Sequence, residues 1–175
     1  MEQKYNLELK HYCPDFDSVR KILRELGAKK EMIKNQKDYF FNLPMLKDKT
    51  SPRLKLRIEK SKQTLVYYER PDFMDGKSVT ADIGLYEVKD KQLLPFLQKS
   101  LGVKAVVEKK REVWRKANAV FHLDSVAGVG NIFEIELQKK GKITEKDQAI
   151  FKMYQKKLLP SLGQVIKGSN VDLVK

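Results

Sequence analysis

A short segment near the N-terminus alternates polar and apolar side chains, and it constrains the fold more than any other part of this 175-residue chain. Asn6, Glu8 and Lys10 alternate with Leu7 and Leu9. Successive side chains of a β-strand point to opposite faces, so the two leucines share one face and the three polar residues share the other. The pattern predicts a strand with one apolar face and one charged face.

The same alternation recurs in five further segments. Their charged faces carry Arg53, Lys55, Arg57 and Glu59; Glu87 and Lys89; Lys109 and Arg111; His122 and Asp124; and Glu134, Glu136 and Gln138. An open sheet with its charged face in water would explain any one of these strands. Six strands that keep cations and carboxylates in separate clusters are more typical of a sheet that curls into a barrel with a polar lumen.

Periodicity, turn residues and cap residues predict eight strands and three helices. The predicted strands span residues 4–12, 31–43, 53–60, 64–70, 78–89, 104–115, 119–126 and 131–138. The predicted helices begin at Asp15 or Asp17, at Asp90 and at Thr144. Because helices do not follow every strand, we expect an α+β fold, an eight-stranded antiparallel β-barrel with about three flanking helices, in one domain over residues 1–175.

The net charge of +13 favours a polyanionic partner. Nucleic acid and phosphate-bearing small molecules both fit this charge, but no nucleic-acid-binding signature is present, so nucleic acid is not the expected partner. No apolar run reaches the roughly 20 residues of a membrane span. The single cysteine, Cys13, excludes an internal disulfide and a cysteine-based zinc site. We therefore expect a cytoplasmic protein that is not inserted in a membrane.

The charged faces carry the side chains that phosphate chemistry needs. Glu8, Glu134 and Glu136 offer hard oxygen ligands, and same-face neighbours on a strand are about 6–7 Å apart, which suits one or two hydrated Mg²⁺ or Mn²⁺ ions. The donors that match phosphate oxygens are Lys10, Lys55, Arg57, Lys109 and Arg111. This combination of carboxylate metal ligands and cationic donors predicts phosphoryl or nucleotidyl transfer. His122 is expected to be a hydrogen-bonded residue of the barrel wall.

With these residues assembled, almost the whole chain resembles the CYTH superfamily, also called triphosphate tunnel metalloenzymes, and in particular its class IV adenylate cyclase-like branch. The segment Asn6-Leu-Glu8-Leu-Lys10 stands where that family carries Glu-x-Glu-x-Lys. The other matching segments are Leu26-Gly-Ala28, Gln36-Lys-Asp38-Tyr-Phe40, Arg53-Leu-Lys55-Leu-Arg57, Tyr68-Glu-Arg70-Pro-Asp72, Val107-Glu-Lys109-Lys-Arg111, Leu123-Asp124-Ser-Val126, Gly128-Val-Gly130 and Phe133-Glu134-Ile-Glu136. Their order and spacing together make the resemblance specific.

The resemblance implies an eight-stranded antiparallel tunnel that binds a triphosphate with a divalent metal. It implies metal binding by Glu8, Glu134 and Glu136, and catalysis by these three residues with Lys10. The implied phosphate-binding residues are Lys10, Arg53, Lys55, Arg57, Arg70, Lys89, Lys109 and Arg111. Asn6, Glu87 and Asp124 are expected in the tunnel wall.

Three positions depart from the family pattern: position 6, the fourth strand, and the segment Ser169-Asn170-Val-Asp172-Leu173, which has Asn where the family tends to have Tyr. Asn6 replaces the first signature glutamate, and the lysine usual in the fourth strand is absent, with Glu69 near its place and Arg70 as the substitute. The first hypothesis is a metal-dependent triphosphatase acting on ATP, thiamine triphosphate or tripolyphosphate, as a monomer or homodimer. The alternatives are a class IV-type adenylate cyclase, a protein that binds polyphosphate or nucleotide without turnover, and nonspecific nucleic-acid binding through the basic surface.

Overall fold

The computed structural model describes residues 4–44, 50–60, 62–71, 83–141 and 143–174. The elements are β1 (Lys4–Tyr12), α1 (Phe16–Glu25), β2 (Lys29–Phe41), β3 (Thr50–Glu59), β4 (Lys62–Pro71), β5 (Ile83–Val88), α2 (Leu93–Leu101), β6 (Val103–Lys116), β7 (Ala119–Val126), β8 (Gly130–Lys140) and α3 (Glu145–Leu158), followed by 3₁₀ turns at Leu159–Ser161 and Asn170–Asp172. The predicted start of β5, at residue 78, lies outside the described residues.

The eight strands form one antiparallel sheet in the order β1-β8-β7-β6-β2-β3-β4-β5. This confirms the predicted α+β fold with an eight-stranded antiparallel sheet and three helices. Hydrogen-bonded closure between β1 and β5 is not detected among the described residues. The free edge of β1 is paired instead with a C-terminal segment, since the Tyr12 amide donates to the Gln164 carbonyl and the Ile166 amide donates to the Lys10 carbonyl.

Helices α1 and α3 cover the outer face of β1, β8, β7 and β6. Asp15 caps α1 by accepting the amides of Asp17 and Ser18, as predicted, and Thr144 with Asp147 forms a capping box at α3. The outward side chains of the strands pack with both helices in the largest core, which includes Leu7, Val19, Leu23, Trp114, Phe121, Leu123, Phe133, Ile135, Phe151 and Leu158. The apolar faces predicted for these strands are therefore the outer faces of the sheet.

Helix α2 covers the other half of the outer face. It begins at Leu93 rather than at Asp90, which places Pro95 in the first turn, where the missing proline N–H costs no intrahelical hydrogen bond. Leu97 then packs with Phe41, Leu56 and Val88. No helix in the described part of the chain is both long and apolar enough to cross a membrane.

The C-terminal segment also enters the inside of the curved sheet. Ile166 and Val171 pack against the inward side chains of Phe40, Val107, Val126 and Ile132. We call residues 163–174 the C-terminal plug. Because these inner positions are filled by apolar side chains, the polar space inside the sheet is bounded on that side.

Candidate functional site

The inner face of the sheet encloses a cavity of about 440 Å³. Side chains from all eight strands and from the C-terminal plug line it, and its volume lies in the usual range of about 300–1,000 Å³ for small-molecule sites. Among the charged side chains lining it, cations outnumber carboxylates. The predicted residues that line the cavity are Glu8, Lys10, Lys55, Arg57, Lys109, Arg111, Glu134 and Glu136.

A first Lys-Arg-Asp cluster is formed by Lys109, Arg111 and Asp124. Arg111 and Asp124 are register partners on β6 and β7, and the guanidinium donates from Nε to Oδ1 and from Nη2 to Oδ2, both at 2.6 Å. Lys109 donates to Oδ2 at 3.1 Å. Asp124 has no exposed surface and is not among the lining residues, so it lies behind the two cations and fixes their direction.

Burial and ion pairing shift the pKa values in this cluster. Burial alone would raise the pKa of the Asp124 carboxyl, but Arg111 and Lys109 hold it well below its ordinary value. Burial and the charge of Arg111 lower the pKa of Lys109 to about 8, against the opposing effect of Asp124. At neutral pH the cluster therefore consists of the Asp124 carboxylate with two cations, Lys109 and Arg111. Lys109 gives up its proton at a lower pH than an ordinary lysine.

A second Lys-Arg-Asp cluster repeats this arrangement on β2 and β3 with Lys55, Arg57 and Asp38. Arg57 donates from Nε to Oδ1 of Asp38 at 2.7 Å and from Nη2 to Oδ2 at 2.8 Å, and Lys55 donates to Oδ2 at 2.8 Å. Burial, then the charge of Arg57, lowers the pKa of Lys55 to about 7, although Asp38 opposes both. Burial favours neutral Asp38, but Lys55 and Arg57 outweigh it and keep its pKa far below the ordinary value.

The two clusters share one geometry. In each, the arginine is the register partner of the aspartate on the neighbouring antiparallel strand, and the lysine precedes the arginine by two residues on the same face. Four adjacent strands, β7, β6, β2 and β3, thus carry aspartate, Lys-x-Arg, aspartate and Lys-x-Arg in turn. Because each aspartate is shared by two basic side chains, a cluster whose lysine is protonated has one unneutralised positive charge, which suits an anion.

A third group, the His-Glu cluster, consists of His122, Glu134 and Glu136. One ligand atom from each residue lies within 4.8 Å of the others. His122 Nε2 is 3.5 Å from Glu136 Oε2, and Glu134 Oε2 is 3.2 Å from the Lys10 ammonium nitrogen and 3.5 Å from Arg111 Nη2. Burial would raise the pKa of Glu134, but Lys10 and then Arg111 hold it well below its ordinary value.

The donor set of the His-Glu cluster fits a divalent cation. Two ionised carboxylates and an imidazole are common metal ligands, and burial with the charge of Arg111 lowers the pKa of His122, which keeps the ring neutral at pH 7. The Nδ1 atom of His122 is buried without a hydrogen-bond partner among the described residues, so the ring is not the fully bonded wall residue that the sequence suggested. Glu8 lies beside this cluster as the register partner of Glu136.

The C-terminal plug supplies two further polar side chains to the cavity, Ser169 and Asn170. Ser169 Oγ lies 3.0 Å from the Tyr68 hydroxyl, and Asp172 pairs with Arg53 at 3.0 Å. Asn170 is buried, and its Oδ1 has no partner in the described part of the chain. The plug is thus tied by polar contacts to β3 and β4, across the sheet from β1.

Other predicted site residues are not brought to the cavity. Arg53 is bound to Asp172 and does not line it. Glu87 is exposed and pairs with Lys62 at 2.8 Å, and Lys89 is exposed beyond the end of β5. The side chains of Asn6 and Arg70 lie outside the described residues, although the backbone of both positions belongs to β1 and β4.

Sequence reasoning assigned no role to Asp38, Gln36, Ser169 or Asn170. Gln36 and Asp38 alternate on the inner face of β2, but residues 35–38 are all polar, and Phe40 and Phe41 are buried on opposite faces, so periodicity does not mark the orientation of the strand. Two signals pointed to them, the parity with Phe40 and the resemblance of Gln36-Lys-Asp38-Tyr-Phe40 to a family segment. For Ser169 and Asn170 the sequence offered only the resemblance of their segment to the family pattern, and no local pattern places them against distant strands.

Comparisons with known proteins agree with this architecture. The model of the CYTH domain matches residues 4–167. A Methanocaldococcus jannaschii protein named "putative adenylate cyclase" is 30% identical over 172 residues, which cover 95% of this chain and 97% of the relative. Among solved structures, the PH1012 protein of Pyrococcus horikoshii superimposes with a TM-score of 0.79 at 22% identity, covering 97% of this chain and 99% of that one.

A more distant structure is that of the "putative adenylyl cyclase HpAC1" of Hippeastrum, described as having a dominant triphosphatase activity. It superimposes with a TM-score of 0.59 at 16% identity and covers 87% of this chain and 86% of that chain. Both solved structures therefore share the fold with this chain.

Proposed function

The chain belongs to the CYTH domain family, and we propose that it is a divalent-metal-dependent enzyme that binds a triphosphate in the cavity and hydrolyses it. One observation carries the proposal: the lysines and arginines of two Lys-Arg-Asp clusters line the same cavity as the His-Glu cluster. Cations alone would indicate an anion-binding site. Cations beside a metal-competent carboxylate pair are what phosphoryl transfer requires, because it depends on positioning and on neutralising charge.

The chain's own residues divide the work by charge. Lys55 and Arg57 on one side, and Lys109 and Arg111 on the other, offer donors to the phosphate oxygens, and the buried Asp38 and Asp124 hold those donors in place. Preorganised donors of this kind stabilise the charge that develops on the oxygen leaving the transferred phosphorus.

Metal binding is assigned to Glu8, Glu134 and Glu136, with Mg²⁺ or Mn²⁺ as the expected ion. When bound there, the ion would supply charge neutralisation and polarisation of a phosphoryl oxygen. Lys10 lies 3.2 Å from Glu134 and 3.6 Å from Glu8, so it orients both carboxylates and adds a positive charge on the same strand.

A second candidate is adenylate cyclisation, which the name of the Methanocaldococcus jannaschii relative favours. The two reactions use the same triphosphate clusters and differ in the nucleophile. Hydrolysis uses water, whereas cyclisation uses the ribose hydroxyl of ATP and releases pyrophosphate. Identification of the products therefore separates the two.

The test is incubation of the protein with ATP, thiamine triphosphate and tripolyphosphate, each with Mg²⁺ or Mn²⁺, followed by product analysis. Release of orthophosphate supports the triphosphatase, and cyclic AMP with pyrophosphate supports the cyclase. Tight tripolyphosphate binding without any product would indicate a protein that binds the triphosphate without turnover. Duplex binding with a steep salt dependence that tripolyphosphate does not compete would instead indicate nucleic-acid binding.

The double variant Glu134→Gln with Glu136→Gln tests the metal assignment. It should lose metal-dependent turnover and remain folded at the assay temperature, as circular dichroism would show, because glutamine keeps the shape of each side chain. Its melting temperature should fall, because Lys10 and Arg111 lose the buried negative charge of Glu134. Glu25→Gln, at an exposed position at the end of α1, is the matched control and should leave turnover unchanged. Full activity in the double variant would contradict the assignment.

A further inference from the structure

One imidazole faces the cavity, beside the two carboxylates of the His-Glu cluster. The chain has two histidines, and only His122 is among the residues that line the cavity. His11, on β1, places Nδ1 at 2.8 Å from the Gly163 carbonyl oxygen and belongs to the contact between β1 and the C-terminal plug. The two rings therefore differ in surroundings and can be observed separately.

The fold fixes the position of His122. It is the register partner of Glu134 on β8 and of Val113 on β6. Its chain neighbours, Phe121 and Leu123, point to the other face and are fully buried in the core beneath α1 and α3. A shift of β7 by one residue would expose both to the polar cavity, so the ring is held on the inner face.

The described protein contacts leave part of the hydrogen-bonding capacity of this ring unused. Nε2 makes one contact, at 3.5 Å to Glu136, which is longer than an ordinary N–H···O hydrogen bond, and Nδ1 has no partner in the described part of the chain. A buried polar ring with one weak contact is costly unless something else binds it. A cation between the imidazole and the two carboxylates would satisfy the lone pair of one ring nitrogen.

We propose that His122 is a metal ligand, and that it makes this cavity prefer a transition-metal dication such as Co²⁺ or Zn²⁺ to Mg²⁺. The inference rests on the proposed function for the location of the metal and goes beyond it in the ligand and the ion. Imidazole is a good ligand for first-row transition metals, whereas Mg²⁺ takes oxygen ligands almost alone. Metal–ligand bonds of about 2.0–2.2 Å in a tetrahedral site put neighbouring ligand atoms about 3.2–3.6 Å apart. The three donor atoms lie within 4.8 Å of one another, so small side-chain rotations would bring all three to one ion.

The first measurement uses the wild-type protein with ¹⁵N-labelled histidine rings. Titration with Zn²⁺ should strongly change the ¹⁵N shift of one His122 ring nitrogen, and titration with Mg²⁺ should not. The His11 signals are the internal reference and should stay in place under both ions. Because no substitution is needed, a loss of folding cannot produce the result.

The second measurement is calorimetric titration of wild type and His122→Gln with Co²⁺, Zn²⁺ and Mg²⁺. Removal of the imidazole should weaken Co²⁺ and Zn²⁺ binding by about tenfold or more and change Mg²⁺ binding by less than about twofold. Glu134→Gln should weaken binding of all three ions. Equal losses for Mg²⁺ and Zn²⁺ in His122→Gln would overturn the proposal.

The outcomes separate this inference from the proposed function. If metal binding depends on Glu134 but leaves the His122 signals unchanged, the inference about His122 is wrong. The proposed triphosphatase function is unaffected by that result. A Zn²⁺-dependent shift of His122, with no turnover of any triphosphate under any ion, supports the inference and counts against the enzyme. Absence of all metal binding overturns both.

Discussion

Arg111 donates two hydrogen bonds of 2.6 Å to the carboxylate of Asp124, which is fully buried. A buried ion pair of this kind contributes little compared with an apolar pair, but breaking it is costly because an uncompensated charge stays behind. Lys109 shares the same carboxylate, so the loss of Asp124 would leave two neighbouring cations without their counter-charge.

Asp124→Asn should therefore lower the free energy of unfolding by about 3–5 kcal/mol, measured by denaturant unfolding. Tripolyphosphate should raise the melting temperature of the variant more than that of the wild type, because its oxygens replace the lost negative charge. Asp17→Asn, at an exposed carboxylate paired with Arg20, is the control and should cost less than about 1 kcal/mol. Wild-type stability in Asp124→Asn would show that the pair does not hold the cluster together.

The lowered pKa of Lys55 makes stability depend on pH. The folded protein releases the Lys55 proton near pH 7, against an ordinary value of 10.5 in the unfolded chain. Between these two values the unfolded chain binds more protons, so this residue makes the free energy of unfolding rise with pH. Lys55→Met should show a smaller rise when urea unfolding is compared at about pH 6 and about pH 9, because only Lys109, whose pKa is also lowered, would still contribute. Lys21→Met, at an exposed position of α1, should keep the full rise.

Loss of the Lys55 proton, which should stabilise the folded protein as pH rises, should weaken its binding of anions over the same pH range. Tripolyphosphate binding without metal should weaken as pH rises above about 7, by up to about tenfold per pH unit once Lys55 has lost its charge. Lys55→Arg keeps a cation at all these pH values, so its affinity should change less with pH. Calorimetric titrations over the same pH series measure both proteins. Parallel pH profiles for the two would contradict the role given to Lys55.

The inner faces of β1, β3, β7 and β8 followed from the sequence because their opposite faces carry core side chains, whereas the outer face of β6 carries Glu108, Lys110 and Glu112 beside the core residue Trp114. Leu7, Leu56, Phe121 and Ile135 are buried on the outer face of the sheet, so alternation alone directs Glu8, Arg57, His122 and Glu134 inward. The exception is β5, where Glu87 has the inward parity but sits next to the end of an edge strand and is exposed. Alternation along a strand predicts the face of the sheet on which a side chain lies, but it does not predict how buried that side chain is.

Two parts of the site were beyond sequence reasoning for a physical reason. Asp38 lies on a strand that carries buried apolar side chains on both faces, Phe40 inside and Phe41 outside, so hydrophobic periodicity alone could not orient β2. Ser169 and Asn170 reach the cavity because apolar packing of Ile166 and Val171 draws the plug inside the sheet. That placement depends on contacts with strands far away in the chain, and no local pattern records it.

The polar anchors of the C-terminal plug should control its opening. Asp172 accepts from the Ser169 amide at 2.8 Å and pairs with Arg53 at 3.0 Å. Asp172→Ala removes both contacts and should speed amide hydrogen exchange in residues 163–174, with little change in α1. Lys167→Ala, an exposed position in the same segment, is the control. Unchanged exchange in Asp172→Ala would mean that the apolar packing of the plug suffices.

Position 6 carries an uncharged asparagine in this chain. A carboxylate introduced there should raise the affinity of the protein for Mg²⁺. Position 6 lies two residues before Glu8 on β1, and its register partner, Gln138, lines the cavity. Asn6→Glu should add one hard oxygen ligand and strengthen Mg²⁺ binding by about three- to tenfold, because affinity for this ion rises with the number of carboxylate ligands. Asn6→Gln extends the side chain by the same length without charge, so it isolates the effect of the carboxylate. Calorimetric Mg²⁺ titration compares the three proteins, and equal affinities for Asn6→Glu and Asn6→Gln would place position 6 out of reach of the ion.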